Sequence, residues 1–453
     1  MQAENRRASQ PDRAGTFSRR RFLAAGSAAA VGLPGILAAN RAVAASPVAV
    51  PELASATLVD GGLLVSVRTT RPAEVRLRAW PLDDPEALQK SPWVPTNAAR
   101  VAKLPLPQAG TAGRAWAWRT TVRDPQAPLE PVVNDLIRTI PARPARGQPS
   151  AFTFAFGCCT TGTPGIAFSS LRRADPEFFA MIGDFGYPDK GSPFNPIPQT
   201  YTGYVDAFAR LLRHPRMEAL TASAPFFGMQ DDHDYGADSC DRTTVRSFAA
   251  AAFADLMPGG CYPGANYRRW SVGEADFFLT DNRRWKDPDL GPYQNGRYMS
   301  VLGTAQREWL FEGLASSSAA VKVVFIPMTM AWYWSRAETN EVNNFIADHV
   351  TGTVLFCSGD KHAGAVARHA PRIWEFLAAP LSNPTKHTTS NRSSAVLWTE
   401  NGTGPALYNA YGLVDVDTLA ARTVTLRLMR EDGMEMHRQT IALGRDGAGP
   451  ADG

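Results

Sequence analysis

Asp231-Asp232-His233-Asp234 puts three carboxyl groups and an imidazole into four residues. So many acids in one short stretch cannot all be comfortably buried without partners. Three more stretches carry related chemistry. They are Gly183-Asp184 with Tyr187 three residues on, Asp281 followed by Arg283 and Arg284, and Gly359-Asp360-Lys361-His362. Cys158-Cys159 adds a pair of thiols. Carboxylates, imidazoles, thiolates and phenolates bind metals. An arginine fork matches phosphate oxygens, and a histidine beside them can transfer a proton. Singly, each has an ordinary explanation. A Gly-Asp after a strand is common loop chemistry, a Cys at a strand end is usually core, and a lone Tyr usually packs.

Their shared placement is what argues for function. Phe152–Phe156 runs into Cys158-Cys159, Phe178–Ile182 into Asp184, and Pro225–Met229 into Asp231. Phe277–Leu279 runs into Asp281 and Val354–Phe356 into Asp360, and Val321–Ile326 is a sixth run of the same kind. Short continuous apolar runs are the pattern of strands buried on both faces. Ser169–Arg173 and Gln306–Leu314 read as helix segments between them. In an α/β sheet the carboxyl ends of the strands gather along one edge, where ligands bind. Acidic clusters meeting there repel unless cations lie between them, so bound metal is expected.

Residues 46–145 follow a different rule. Leu63, Val65 and Val67 share one face, with Ser66 and Arg68 on the other. Val75, Leu77 and Ala79 alternate with Glu74, Arg76 and Arg78, and Trp116 and Trp118 repeat the step. With a turn at Asp60-Gly61-Gly62, this predicts a small all-β sandwich. It carries no chemical cluster. Pro141–Pro149 reads as a linker into an α/β catalytic domain at 150–443, which ends in a hairpin around Asp432-Gly433. Residues 444–453 read as a disordered tail. Trp332-Tyr333-Trp334 is either core packing, the preferred reading, or an apolar platform for a leaving group. His214 before Pro215 reads as a helix end or surface residue, and His369 and His387 as structural.

The 453 residues are 44% hydrophobic and 20% charged, which excludes collagen-like, wholly disordered and multi-pass membrane chains. The net charge of +4 sits in residues 1–44, where seven arginines face Glu4 and Asp12, so the remainder stands at −1. No nucleic-acid-binding surface is therefore expected. Ser18-Arg19-Arg20-Arg21-Phe22-Leu23, the weakly apolar 24–39 and Ala42-Val43-Ala44 predict a signal peptide over 1–44. The paired arginines resemble a twin-arginine (Tat) export signal, which implies the Tat machinery as partner and a periplasmic or extracellular destination. The Ala- and Gly-rich stretch with Pro34 predicts no stable membrane span. Five cysteines are too few for a disulfide scaffold. Cys240 and Cys261 could pair, and Cys357 reads as a buried thiol.

Phe156-Gly157-Cys158-Cys159, Gly183-Asp184-Phe185-Gly186-Tyr187, Asp231-Asp232-His233-Asp234, Asp281-Asn282-Arg283, Leu302-Gly303-Thr304-Ala305-Gln306 with Trp309-Leu310, and Gly359-Asp360-Lys361-His362 occur in this order. Over residues 150 to 370 the chain resembles the PhoD-like alkaline phosphatases of the calcineurin-like metallophosphoesterase superfamily. Phe185, Gln230, Asp234 and Lys286 stand where that family commonly has Tyr, Trp, Glu and Arg. The resemblance implies a four-layer α/β/β/α sandwich behind the small β domain, with iron and calcium as cofactors and manganese or zinc as alternatives. By position, Cys159, Asp184, Tyr187 and Asp360 would be iron-side ligands, with Asp184 able to bridge. Asp232 and His362 would serve the second metal. His233 would lie beside the phosphate, and Arg283 and Lys361 would bind substrate.

The donor set agrees, since thiolate and phenolate beside carboxylates suit Fe(III) and carboxylate-rich sites suit calcium or manganese. Two such ions can activate water for attack on phosphorus, and His233 can protonate the leaving group. The expectation is an exported hydrolase of small-molecule or lipid phosphate mono- or diesters. A phospholipase D-like diesterase is one alternative. A secreted, metal-stabilised binding protein with a decayed site is another.

Overall fold

The computed structural model describes residues 49–444, apart from 60–61, 135, 191–196, 245, 261–263, 289–298, 384–393 and 401–407. The signal peptide over 1–44, the Asp60-Gly61 turn, Cys261, His387 and the tail beyond Gly444 thus lie outside the described residues.

Between Pro51 and Ile140 every described helix or strand is a strand. Pro51–Val59, Gly62–Thr69 and Val101–Leu106 form a three-stranded antiparallel sheet. Glu74–Pro81 and Trp116–Asp124 are the central strands of a six-stranded one. Leu63, Val65 and Val67 from one sheet share a core with Val75, Leu77, Ala79, Trp116 and Trp118 from the other, as their period of two requires. Ser66 and Arg68, expected on a solvent face, are buried too. A second layer covers that side: Leu53, Ala99 and Val101 join a cluster with Tyr204, Phe208 and Phe253. Arg68 there donates to Asp206 at 2.5 Å. Pro141–Pro149 is likewise pinned, Gly147 N donating to Gly273 O at 2.7 Å.

The apolar runs form two larger sheets. One has six strands in the order Phe226–Met229, Phe179–Ile182, Ala151–Gly157, Ala410–Asp417, Thr423–Arg430 and Glu435–Ala442. The first three are parallel, and the last two are the expected C-terminal hairpin. The other has seven, ordered Arg268–Val272, Ala275–Leu279, Val321–Met328, Thr353–Gly359, Ile373–Ala378, Gly364–Ala370 and Val396–Thr399, with the second to fifth parallel.

Alternation decides which face goes where. Phe154, Phe156, Ala180 and Ile182 from the first sheet share a core with Phe277, Val323, Phe325 and Leu355 from the second. On its other face, the first sheet packs Ala155, Phe179 and Met181 against helices Ala167–Ala174, Tyr201–Leu212, Pro215–Thr221 and Ser247–Leu256. The second packs Phe278, Val324, Ile326 and Phe356 against Thr304–Ala315 and Arg336–His349. Each fully buried Phe, Val or Leu side chain contributes about 1.5–3 kcal/mol of burial. Truncating Phe325, which meets Phe154, Phe156 and Phe178 edge-on, would cost about 3–5 kcal/mol. Thr200 and Ser335 cap two helices, accepting from the amides of Gly203 and Glu338. His214 does so with its ring nitrogen before Pro215, at the predicted helix end. Among the described residues no helix is long and apolar enough to cross a membrane.

Candidate metal centre

The strand ends of both large sheets meet at one cavity of about 370 Å³. Asp184, Tyr187, Asp232 and His233 reach it from the six-stranded sheet, and Arg283, Asp360 and His362 from the seven-stranded one. The turn after Phe179–Ile182 is tight. A Cβ on Gly183 would fall 2.4 Å from the Asp231 Cβ, so only glycine allows this approach. Cys159 N donates to Gly183 O at 3.1 Å and Thr160 N to Asp184 O at 3.0 Å, which ties the Cys159 and Asp184 loops together.

Cys159, Asp184, Tyr187, Asp360 and His362 all have positive φ, between 43° and 65°. The left-handed region costs an L-residue about 1–2 kcal/mol, and such strain gathers at functional sites. These are five of the six residues expected as metal ligands. The sixth, Asp232, opens the short helix Asp232–Tyr235 instead. Asp234 braces that helix by accepting from Asp231 N at 3.0 Å and Phe185 N at 2.7 Å.

Three groups of donor atoms lie within 4.8 Å of one another: Cys159, Asp184 and His362; Asp184, Asp232 and His233; and Asp184, Asp231, Asp232 and Asp360. Asp184 belongs to all three. Tyr187 Oη donates to Asp184 Oδ2 at 2.9 Å and sits 2.9 Å from His362 Nε2. Among the described residues, Asp184 Oδ1 is buried with no hydrogen-bond partner, and so is Asp231 Oδ2. Burial, reinforced by Asp232 and Asp231, pushes the Asp184 carboxyl far above its ordinary range. Burial and the same two acids do the same to Asp360. Burial and the adjacent Cys158, whose Sγ is 2.9 Å away, push the Cys159 thiol up. Unpartnered carboxylate oxygens, a thiol and imidazoles around one point fit cations, which would relieve the crowding of acids.

Arg283 offsets part of that charge. Its Nε donates to Asp231, and its Nη2 lies 3.0 Å from Asp360 and 3.4 Å from Asp232. Burial disfavours the Asp232 carboxylate, but Arg283 and His233 outweigh it and hold its pKa below the usual value. Arg283 was expected on phosphate oxygens. It does line the cavity, yet its donors are shared among three acids because they are its nearest acceptors.

Lys361, also expected at the substrate, is not in the cavity wall. Asp360 and His362 on either side turn inward, while its own ammonium lies 5.8 Å from the Tyr333 ring. The lysines that line the cavity are Lys190 and Lys286.

His233 Nδ1 is 2.8 Å from Asp189 Oδ2, and both side chains are buried. Burial disfavours the imidazolium, but the Asp189 hydrogen bond and the Asp232 charge outweigh it and raise the His233 pKa. Sequence reasoning missed Asp189, and an acid in the same loop as Asp184 was the available signal. It also gave no role to Asp231, which bonds Arg283, or to Asp234. Asp281 ends its strand as expected but does not line the cavity, its amide instead donating to Gln306 Oε1 at 2.6 Å. Cys357 is buried, and Cys240 donates to Asp232 O at 3.4 Å.

A family model described as PhoD-like phosphatase matches residues 154–425. A solved structure of PhoD is similar with a TM-score of 0.69 at 15% identity, over 87% of this chain and 91% of that one. A purple acid phosphatase from yellow lupin (Lupinus luteus) seeds, PPD1, is similar with a TM-score of 0.63 at 11% identity, over 87% of this chain and 74% of that one. At these identities the structures show a shared mixed α/β fold with several sheets. No curated protein sequence matches the chain.

Proposed function

The chain belongs to the PhoD-like phosphatase family, and we propose that it is an exported, metal-dependent hydrolase of phosphate mono- or diesters. The observation that carries this reading is the convergence of carboxylate oxygens of Asp184, Asp231, Asp232 and Asp360 within 4.8 Å of one another, with buried oxygens of Asp184 and Asp231 left unpartnered among the described residues. Cys159, Asp184, Tyr187 and Asp360 would hold a ferric ion. Asp232 and His362, with Asp184 shared, would hold calcium. Ions bound there would neutralise the acids and would supply the activation of water for attack on phosphorus.

The chain's own groups do the rest. Arg283 holds the Asp231, Asp232 and Asp360 carboxylates of the two sheets in register. Asp189 fixes the His233 ring by its Nδ1, which leaves Nε2 to protonate the leaving oxygen. The three core clusters support the four-layer arrangement, and the two sheets of residues 51–140 support a small β-sandwich domain ahead of it.

Metal analysis of the purified chain, together with hydrolysis of nitrophenyl phosphate and bis(nitrophenyl) phosphate at alkaline pH with calcium, tests the reading. Iron with a visible charge-transfer band and turnover of at least one ester are expected. Stoichiometric metal without turnover of either would favour a binding protein. Export through the twin-arginine route rests on Arg19-Arg20-Arg21. Changing these to Lys should leave precursor in the cytoplasm, and normal export would count against that route.

A further inference from the structure

The fold separates the three aromatics at 332–334. Trp334 is core, its indole Nε1 donating to Met328 O at 3.0 Å. Tyr333 is half-buried and lines the cavity together with Met299 and Met328. Met328 is a buried member of the cluster that packs helices Thr304–Ala315 and Arg336–His349 onto the seven-stranded sheet, and Met299 and Tyr333 are partly buried residues packed against it. The hydrophobic core therefore surfaces in the cavity wall at this one stretch, while the donors around Asp184 make the rest of it strongly polar.

The loop carrying Tyr333 is held from several directions. Buried Glu375 accepts from Met330 N at 2.9 Å and Ala331 N at 3.1 Å. Glu375 is itself fixed by Ser358 Oγ at 2.6 Å and His369 Nε2 at 2.9 Å. Tyr333 N donates to Thr329 O at 3.0 Å, and Lys361 Nζ stands 5.8 Å from the ring. A ring ordered in advance loses little entropy when a ligand packs on it.

A phosphoryl group is held by ions and hydrogen bonds, so an apolar wall serves the other half of the ester. We propose that Tyr333, Met299 and Met328 form the leaving-group subsite, and that it selects phosphoesters of aromatic alcohols over those of small alkyl alcohols. This rests on the phosphoesterase reading above.

The test uses the full chain with its metals, 2-naphthyl phosphate and methyl phosphate. The intrinsic reactivities of the two esters cancel when each variant is divided by the wild type. Tyr333→Ala should lower kcat/KM for the naphthyl ester about tenfold more than for the methyl ester, chiefly through KM. Tyr333→Phe should keep the wild-type ratio. Met299→Ala should shift the ratio the same way by about threefold, and it carries the test if Tyr333→Ala does not fold. An unchanged ratio in the alanine variants would overturn the proposal and leave the phosphoesterase reading standing. Loss of the preference in Tyr333→Phe would assign recognition to the hydroxyl and overturn it as well. A wild-type chain that hydrolyses neither ester overturns the proposal, and one that also leaves nitrophenyl phosphate and bis(nitrophenyl) phosphate intact overturns the phosphoesterase reading with it.

Discussion

The small sheets of residues 51–140 and the loops at the large sheets' strand ends both bury charge, on opposite terms. In the first region Arg68 is 4% exposed, with Asp206 at 2.5 Å and Glu52 at 3.6 Å. Arg138 is 1% exposed and meets Glu218 at 3.3 Å. Each guanidinium meets at least one acid, Asp206 and Glu218 coming from helices Tyr201–Leu212 and Pro215–Thr221. In the second region Asp231, Asp232 and Asp360 share Arg283, and Asp184 has none. The backbone differs in the same sense. Of nine non-glycine residues with positive φ among the described residues, five are candidate metal ligands and one, Arg100 just before the strand Val101–Leu106, falls within residues 51–140. A region whose buried cations each meet an acid is complete as structure. One that gathers like charges on strained backbone needs something the chain does not encode.

The hardest way to break that contrast is Asp184→Asn, since Asp184 joins all three donor groups and Asn tolerates its φ of 56°. Metal content should fall, and activity should drop by more than the roughly 10–100-fold typical of a supporting residue. The metal-free variant should melt higher than the metal-free wild type, because one crowded acid is gone. Lower melting in chelator would mean that the acids are not in conflict.

His233→Ala separates donor from acid catalyst. With metal retained, the rate on alkyl phosphates should fall about 10²–10⁴-fold, and much less on nitrophenyl phosphate, whose leaving group hardly needs a proton. Metal loss in the purified variant would make His233 a ligand, as its place beside Asp184 and Asp232 allows.

Arg283→Met makes the imbalance worse. Denaturant melts in chelator should show a loss of about 3–5 kcal/mol, the cost of stripping a buried charge cluster of its counter-ion. Added metal should recover part of it. Equal losses with and without metal would show that Arg283 and the ions do not compensate the same charge.

Asp281→Asn sharpens the comparison with the smallest effect. Burial raises the Asp281 carboxyl from an ordinary 3.8 to about 6, and its Oδ2 has no partner. A raised carboxyl favours the protonated form in the fold. The penalty is therefore absent below 3.8, grows between 3.8 and 6, and is complete above 6. Asn should stabilise by about 2–3 kcal/mol above pH 6 and by nothing near pH 4. A gain that does not change with pH would sink the titration account.

The strand ends were legible because a doubly covered strand must be a continuous apolar run, so the acid that closes it stands out. Cys158-Cys159, Asp184, the Asp231–Asp234 run and Asp360 were found that way, the choice of Cys159 and Asp232 among them came from the family resemblance, and the structure brings both together with Asp184. Asp189 and His233 are 44 residues apart and meet through loops, which no period encodes. Asp281 and Arg283 are two apart, yet only Arg283 reaches the cavity, since a turn and not an alternating strand separates them. Ser66 and Arg68 looked solvent-facing because alternation reports the polarity of a face, and a polar face can still be covered by a neighbouring layer.

A Cβ on Gly359 would stand 2.6 Å from the Cys158 Sγ, so the two large sheets touch there with no side chain to spare. An ion held by Asp184 from one sheet and by Asp360 and His362 from the other would act as a rivet through that seam. At a thousand times its dissociation constant, a ligand of the native state adds about 4 kcal/mol to stability. The stability of the fold would then depend on the free metal around it. The same chain would be durable in one compartment and fragile in another, with no change in its sequence.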